Sequence, residues 1–153
     1  MATSISYNRF EELFEIPLRN GFFPPKESRG SGICIIKMGD LFSQPRIYDS
    51  RELEKVRLPK SEEEKYLLKP GDLLFARTSL NLDGAGKCSI FKGLAEPAIF
   101  ESNLIRARLN RTTADPVFFY YFFQSSLGHQ LIERIVEQVT AASIRSRLRR
   151  NCS

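Results

Sequence analysis

A chain of 153 residues, 42% hydrophobic and 27% charged, has room for one packed domain rather than two, and its composition excludes wholesale disorder. Its 23 lysines and arginines against 18 aspartates and glutamates leave a net charge of +5, a mild bias toward polyanions such as nucleic acid or anionic lipid.

No apolar stretch of signal-peptide type follows Met1, and the longest apolar run, Val117 to Phe123, falls far short of the roughly 18 residues of a membrane span. A cytoplasmic protein with no membrane partner is therefore expected. Cys34, Cys88 and Cys152 are odd in number, scattered and without a C-x-x-C pair, which argues against a disulfide framework and against structural zinc. Cys34, inside "ICII", reads as a small buried hydrophobe. The glycosylation triplets at Asn110 and Asn151 are then chance matches.

In chain order, "NRFEELFEIPL" carries Phe10, Leu13 and Phe14 at i, i+3, i+4 and predicts a short amphipathic helix ended by Pro17. The stretch from Arg19 to Gly32, rich in Gly, Pro and Ser, predicts an irregular loop. "ICIIKM" reads as a strand, and "GDLFSQPRIYDS" as a loop or sheet edge. In "SEEEKYLLKPGD", Ser61 and Glu64 form a capping-box pattern that predicts one helical turn before Pro70 and Gly71 break it.

The turn launches a strand, Asp72 to Thr78, whose return is "KCSIFKG" after the polar loop "SLNLDGAGK". "NLIRARLN" alternates, so Ile105, Ala107 and Leu109 share one face while Leu104, Arg106 and Arg108 share the other. Asp115 and Pro116 then form an N-cap and first-turn pair for "VFFYYFFQSS", a helix apolar around its circumference and so expected in a core. A second helix, "LGHQLIERIVEQV", sets Leu127, Leu131, Ile135 and Val139 at helical spacing.

Enzymatic readings find little support in these residues. The single histidine, His129, has no sequence partner to orient it as a base and reads as a surface side chain. "NLDGAGKC" lacks both the first glycine and the Ser or Thr after Lys that a phosphate loop needs for close backbone approach and Mg²⁺ ligation. Asp40 with Glu63 and Lys65 could form a nuclease constellation of two carboxylates around Mg²⁺ and a lysine near the attacking water. "SEEEK" also reads as a solvated helix start, where acidic residues complement the helix dipole. The run from Phe118 to Phe123 could be a base-stacking platform or a core helix, and its Asp-Pro cap favours the helix. Arginines are more suggestive: Arg77 ends a strand, Arg106 and Arg108 share a face, and Arg19, Arg29 and Arg46 lie in or beside loops. Arginine pairs bidentately with guanine or phosphate, and Asn reads adenine.

Taken together, "FEIPLRNGFFPPKESRGSG", "EEEKYLLKPGDLLFARTSL", "IFESNLIRARLN" and "DPVFFYYFFQSSLGHQLIERIVEQVT" resemble, in order and spacing, a target-recognition domain from the specificity subunit of type I restriction-modification enzymes. The match runs from about Phe10 to Ile144. It implies a single α+β domain over 1–144, a mixed twisted β-sheet with flanking helices and two C-terminal helices, followed by a basic tail over 145–153. It also implies a non-catalytic DNA-reading role with no cofactor of its own. Double-stranded DNA is one expected partner. The others are a modification subunit that methylates adenine with S-adenosylmethionine and a restriction subunit that translocates and cuts.

DNA contacts are expected at Arg19, Arg29 and Ser31 in the first loop, at Arg77, Thr78, Ser79 and Asn81 at the strand end, and at Lys87 and Arg106. A full specificity subunit has two such domains separated by long helices, whereas this chain has one domain and no spacer helix. A truncated product, an isolated domain and a half subunit that works as a homodimer all fit that pattern. The arginines of the tail, Arg145, Arg147, Arg149 and Arg150, are either a phosphate-binding arm or an unstructured end. A protein-docking module with no DNA role is the remaining alternative.

Overall fold

Two mixed sheets, rather than one, organise the chain. A computed structural model describes residues 8–44, 46–47, 53–77, 87–132 and 134. The larger sheet has the order β1 (Phe14–Asn20), β8 (Leu104–Leu109), β5 (Leu73–Ala76), β6 (Cys88–Phe91), β3 (Arg46–Ile47). The smaller runs β4 (Glu54–Val56), β2 (Arg29–Ile36), β7 (Ala98–Phe100). Each sheet contains one parallel pair, β3 with β6 and β2 with β7, and its other pairs are antiparallel. Helices α1 (Met38–Ser43), α2 (Lys60–Tyr66), α3 (Pro116–Phe122) and α4, over 126–132, complete the α+β arrangement expected from the sequence.

Strand β5 is buried at every position because it is central and covered on both faces, the condition under which a strand reads as a continuous apolar run. Alternate side chains serve two cores. Leu74 and Ala76 pack with Leu104, Leu41 of α1 and Phe100 of β7, while Leu73 and Phe75 pack with Ile105, Ala107, Tyr120 and Phe123. Phe75 meets Phe123 edge-on at 5.1 Å, a favoured aromatic geometry. The large sheet is thus held between α1 and the small sheet on one side and the α3 region on the other. Both cysteines within the described residues, Cys34 and Cys88, are buried.

Several local expectations change. The first helix shrinks to a 3-10 turn over Phe10–Leu13, and Pro17, expected to end a helix, stands inside β1. β1 is an edge strand with register breaks on both sides of Ile16, where proline's missing N–H and rigid φ are tolerated. The predicted loop up to Gly32 instead enters β2 at Arg29. Arg29 and Ile33 both pair with Val56, so residues 30–32 loop out, with Gly30 and Gly32 at φ +100° and +110°. A Cβ on Gly32 would lie 2.3 Å from the Val56 carbonyl oxygen.

Met38–Ser43 form α1 and Arg46–Ile47 the short edge strand β3, so the stretch expected to be a loop or edge contains a helix as well. Helix α2 begins at Lys60, one residue before Ser61, with Pro59 as its N-cap and no side-chain cap bond; the expected capping box is absent. At α3 the expected cap is present, Asp115 Oδ1 accepting from Val117 N–H at 2.8 Å with Pro116 in the first turn. The helix is one-sided, however: Tyr120 faces the core while Val117, Phe118 and Tyr121 are 40%, 62% and 54% exposed. Its circumference is apolar without being buried. His129 is exposed on α4, as expected.

Candidate nucleic-acid interface

The strand end at Arg77 is built from the turn before it. Gly71 takes φ +94°, Asp72 N–H donates to the Lys69 carbonyl at 3.0 Å, and Lys69 N–H donates back to Asp72 Oδ2 at 2.8 Å. Arg108 of β8 grips the same carboxylate with two bonds of 2.7 Å, from Nε to Oδ1 and from Nη2 to Oδ2. Such a planar, charge-assisted pair fixes orientation as well as position. β5 therefore starts from an anchored corner, and its apolar residues run without a break to Ala76.

At the other end the ladder closes with Ala76 N–H to the Lys87 carbonyl at 3.0 Å and Arg77 N–H to the Asn103 carbonyl at 2.8 Å. One strand further on, Gly21 N–H meets the Leu104 carbonyl at 3.1 Å. Arg77, Lys87, Asn103 and Gly21 thus lie along one end of the large sheet. Arg77 is half-buried, and its side chain has no partner among the described residues. Thr78, Ser79 and Asn81 lie outside the described residues, as do Arg145, Arg147, Arg149 and Arg150.

Several cations of the described residues fall into two groups, and they are spread over both sheets and α2 rather than gathered at this end. One group is neutralised by carboxylates: Arg29 with Glu54 at 3.6 Å, Lys37 with the same Glu54 at 2.7 Å, Lys55 with Glu96 at 2.9 Å and Lys65 with Glu62 at 2.5 Å. Lys37 holds the Glu54 carboxyl below its ordinary pKa, chiefly by their hydrogen bond, and Glu54 in turn raises that of Lys37. The other group leans on aromatic rings. Arg19 sits 5.9 Å from the Tyr66 ring centre, Lys87 4.5 Å from that of Phe42, and Arg46 5.5 Å and 6.0 Å from those of Tyr121 and Tyr120. Arg46 also donates to the Tyr121 hydroxyl. Cation–π contact orients the charge without cancelling it. Nothing local marks this group, since Arg46 and Tyr121 are 75 positions apart in the chain.

The expected contact residues are therefore not all brought together. Arg77 and Lys87 share one sheet end, with Arg19 on the neighbouring edge strand. Arg29 and the exposed Ser31 belong to the small sheet. Arg106 does share a side of β8 with Arg108, but that side faces inward, which corrects its place among the DNA contacts. It is 3% exposed, donates from Nη1 to the Lys65 and Leu67 carbonyls at 3.3 Å and 3.5 Å, and rests 5.5 Å from the Phe100 ring centre. Burial, with Arg108 and Arg19 nearby, pushes its pKa down to about 10. A side chain so enclosed cannot reach a groove of DNA.

The nuclease constellation is not assembled either. Asp40 accepts from Lys37 N–H at 2.7 Å to start α1, and burial raises its carboxyl pKa. Lys65 pairs with Glu62 on α2. Among the described residues, no set of three His, Cys, Asp or Glu side chains could hold a metal ion, and no helix is long and apolar enough to cross a membrane.

No family model matches the chain. Over 109 residues, 71% of its length, it is 30% identical to the specificity subunit of the type I restriction enzyme EcoKI from Escherichia coli (strain K12). The resemblance read from the four sequence blocks is thus found in a curated protein. The matched stretch amounts to 23% of that subunit.

Proposed function

We propose that this chain is a DNA target-recognition module of the type I restriction-modification kind, without catalysis of its own. The observation that carries the reading is the likeness to a specificity subunit, joined to a sheet end where Arg77 and Lys87 flank the segment 78–86. In this reading lysines and arginines contact phosphates and supply salt-dependent affinity, while Arg77, Thr78, Ser79 and Asn81 present hydrogen-bonding groups to base edges in the major groove. The module's partner is a modification subunit that methylates adenine, and a restriction subunit joins when the complex cuts. Two copies held together would present two such faces and gain affinity by linkage.

Co-expression with a type I modification subunit, followed by sequencing of methylated adenines, tests this. Methylation at one defined sequence that disappears without the chain is the expected result; methylation that is absent, or unaltered by its removal, refutes the reading. Once the sequence is known, Arg77→Ala should lose discrimination between that duplex and a variant of it, measured by fluorescence anisotropy at two salt concentrations.

A further inference from the structure

Strand β1 runs toward the same sheet end as β5, and the chain beyond it is drawn against the turn between β7 and β8. Gly21 N–H donates to the Leu104 carbonyl at 3.1 Å, Phe22 N–H to the Phe100 carbonyl at 2.8 Å, and Ser102 N–H to the Phe22 carbonyl at 2.9 Å. A Cβ on Gly21 would stand 2.2 Å from the Glu101 carbonyl oxygen, so only glycine admits this close approach. On the other side of the turn, Arg77 N–H donates to the carbonyl of the next residue, Asn103, at 2.8 Å. Phe22 and Arg77 therefore flank Ser102 and Asn103, about two strand spacings or roughly 10 Å apart. Asn103 itself is exposed.

Phe23 comes next. It is 76% exposed, more than any other large hydrophobic side chain among the described residues. The other exposed aromatic rings have neighbours: Phe42 has Lys87, Phe118 has Phe119 and Phe122, and Tyr121 has Arg46 and Tyr120. Phe23 has no ring or cation contact among the described residues. Its backbone is fixed nonetheless, by the bonds of Phe22 before it and by the locked φ of Pro24, which is buried, and Pro25 after it. A ring held out on so constrained a backbone loses little freedom when it meets a partner.

The surroundings suit a polyanion. Arg19 and Phe22 both lie against the Tyr66 ring, at 5.9 Å and 5.7 Å, so an exposed cation with no carboxylate partner among the described residues stands on the Phe23 side of the turn. Arg77 supplies another across it. The adjoining carboxylate, Glu101, is engaged with α1, accepting from Met38 N–H at 2.7 Å.

We propose that Phe23 makes an apolar contact with a thymine methyl group in the major groove of duplex DNA, and so is a specificity-determining residue of this module. The C5 methyl of thymine is the apolar group that base edges display in that groove, and a phenyl ring is a suitable partner for it. This role rests on the DNA-recognition reading above.

The test replaces each thymine of the methylated sequence in turn by uracil, which differs only in lacking that methyl, and measures duplex binding by the full chain. The natural sequence should bind one uracil duplex about fourfold more weakly than its thymine parent, the worth of one buried methyl group. Phe23→Ala should bind that pair of duplexes equally, and Phe23→Leu should keep part of the difference. Because no charge is removed, Phe23→Ala should leave the slope of log K against log salt concentration unchanged. Circular dichroism and thermal melting establish that each variant is folded. Indifference of the natural sequence to every thymine methyl, or a Phe23→Ala variant that keeps the whole preference, overturns the inference. So does an unchanged DNA isotherm in Phe23→Ala accompanied by loss of co-purification with a modification subunit, which would assign the ring to protein contact. The underlying reading fails separately: then the natural sequence itself shows no salt-sensitive binding.

Discussion

Arg106 and Arg77 come from the adjacent strands β8 and β5, yet one is enclosed and the other stands where the ladder ends. Along β8 the enclosed arginines differ again. Arg108 has a carboxylate, Asp72, in a bidentate bond, and a second bond of 3.0 Å to the Leu67 carbonyl. Arg106 has only long bonds to carbonyls, and its Nε is buried without a partner. By contrast, Arg19, Lys87 and Arg46 rest on aromatic rings rather than on carboxylates. Position relative to the core, more than residue type, decides which arginine holds the fold and which remains available to a polyanion.

The contrast can be broken most severely at the buried pair. Asp72→Ala leaves Arg108 charged and unmatched and also removes the acceptor that pins Lys69; urea denaturation should show a loss of about 3–5 kcal/mol. At the outward set the effect moves from stability to recognition. Arg77→Ala should cost about 1–3 kcal/mol of discrimination between duplexes, with unfolding free energy changed by no more than about 0.5 kcal/mol. Cap removal by Asp115→Ala should cost about 1 kcal/mol of stability and leave DNA binding unaltered.

Arg106→Met sharpens the difference between the two enclosed arginines. It removes a buried cation that has no carboxylate and fills the space with an apolar side chain, so stability should change by less than about 1 kcal/mol, well below the Asp72→Ala loss. The smallest effect concerns pH. Glu54's carboxyl pKa is lowered in the folded state, so its stabilisation is present above the unfolded value and is lost as pH falls through the lower, folded one. The exposed pair contributes only a few tenths of a kcal/mol. Glu54→Gln should flatten that acidic part of the stability profile in urea melts at successive pH values.

Much of this was written locally. Alternation in "NLIRARLN" placed Arg106 and Arg108 on one side, and the Asp115–Pro116 pair marked the start of α3, because both signals depend only on neighbours along the chain. Other readings failed where distant partners decided. The spacing of Phe10, Leu13 and Phe14 is helical, but pairing of β1 with β8 draws Phe14 into a strand and carries Pro17 with it. Ser61 and Glu64 have capping-box spacing, but the helix starts at Lys60 with Pro59 as its N-cap.

By itself the sequence determined one α+β domain, the buried strand from Leu73 to Ala76, the cap of α3 and the likeness to a type I specificity subunit, because composition, periodicity and ordered blocks are properties of the chain alone. Only the tertiary structure decided that the strands divide into two sheets and that α3 buries one face alone. It also decided that Arg106 turns inward to the end of α2 and that Arg46 meets a tyrosine 75 positions away. These depend on which surfaces the fold covers and which charges it brings together, and neither is encoded in the spacing of near neighbours.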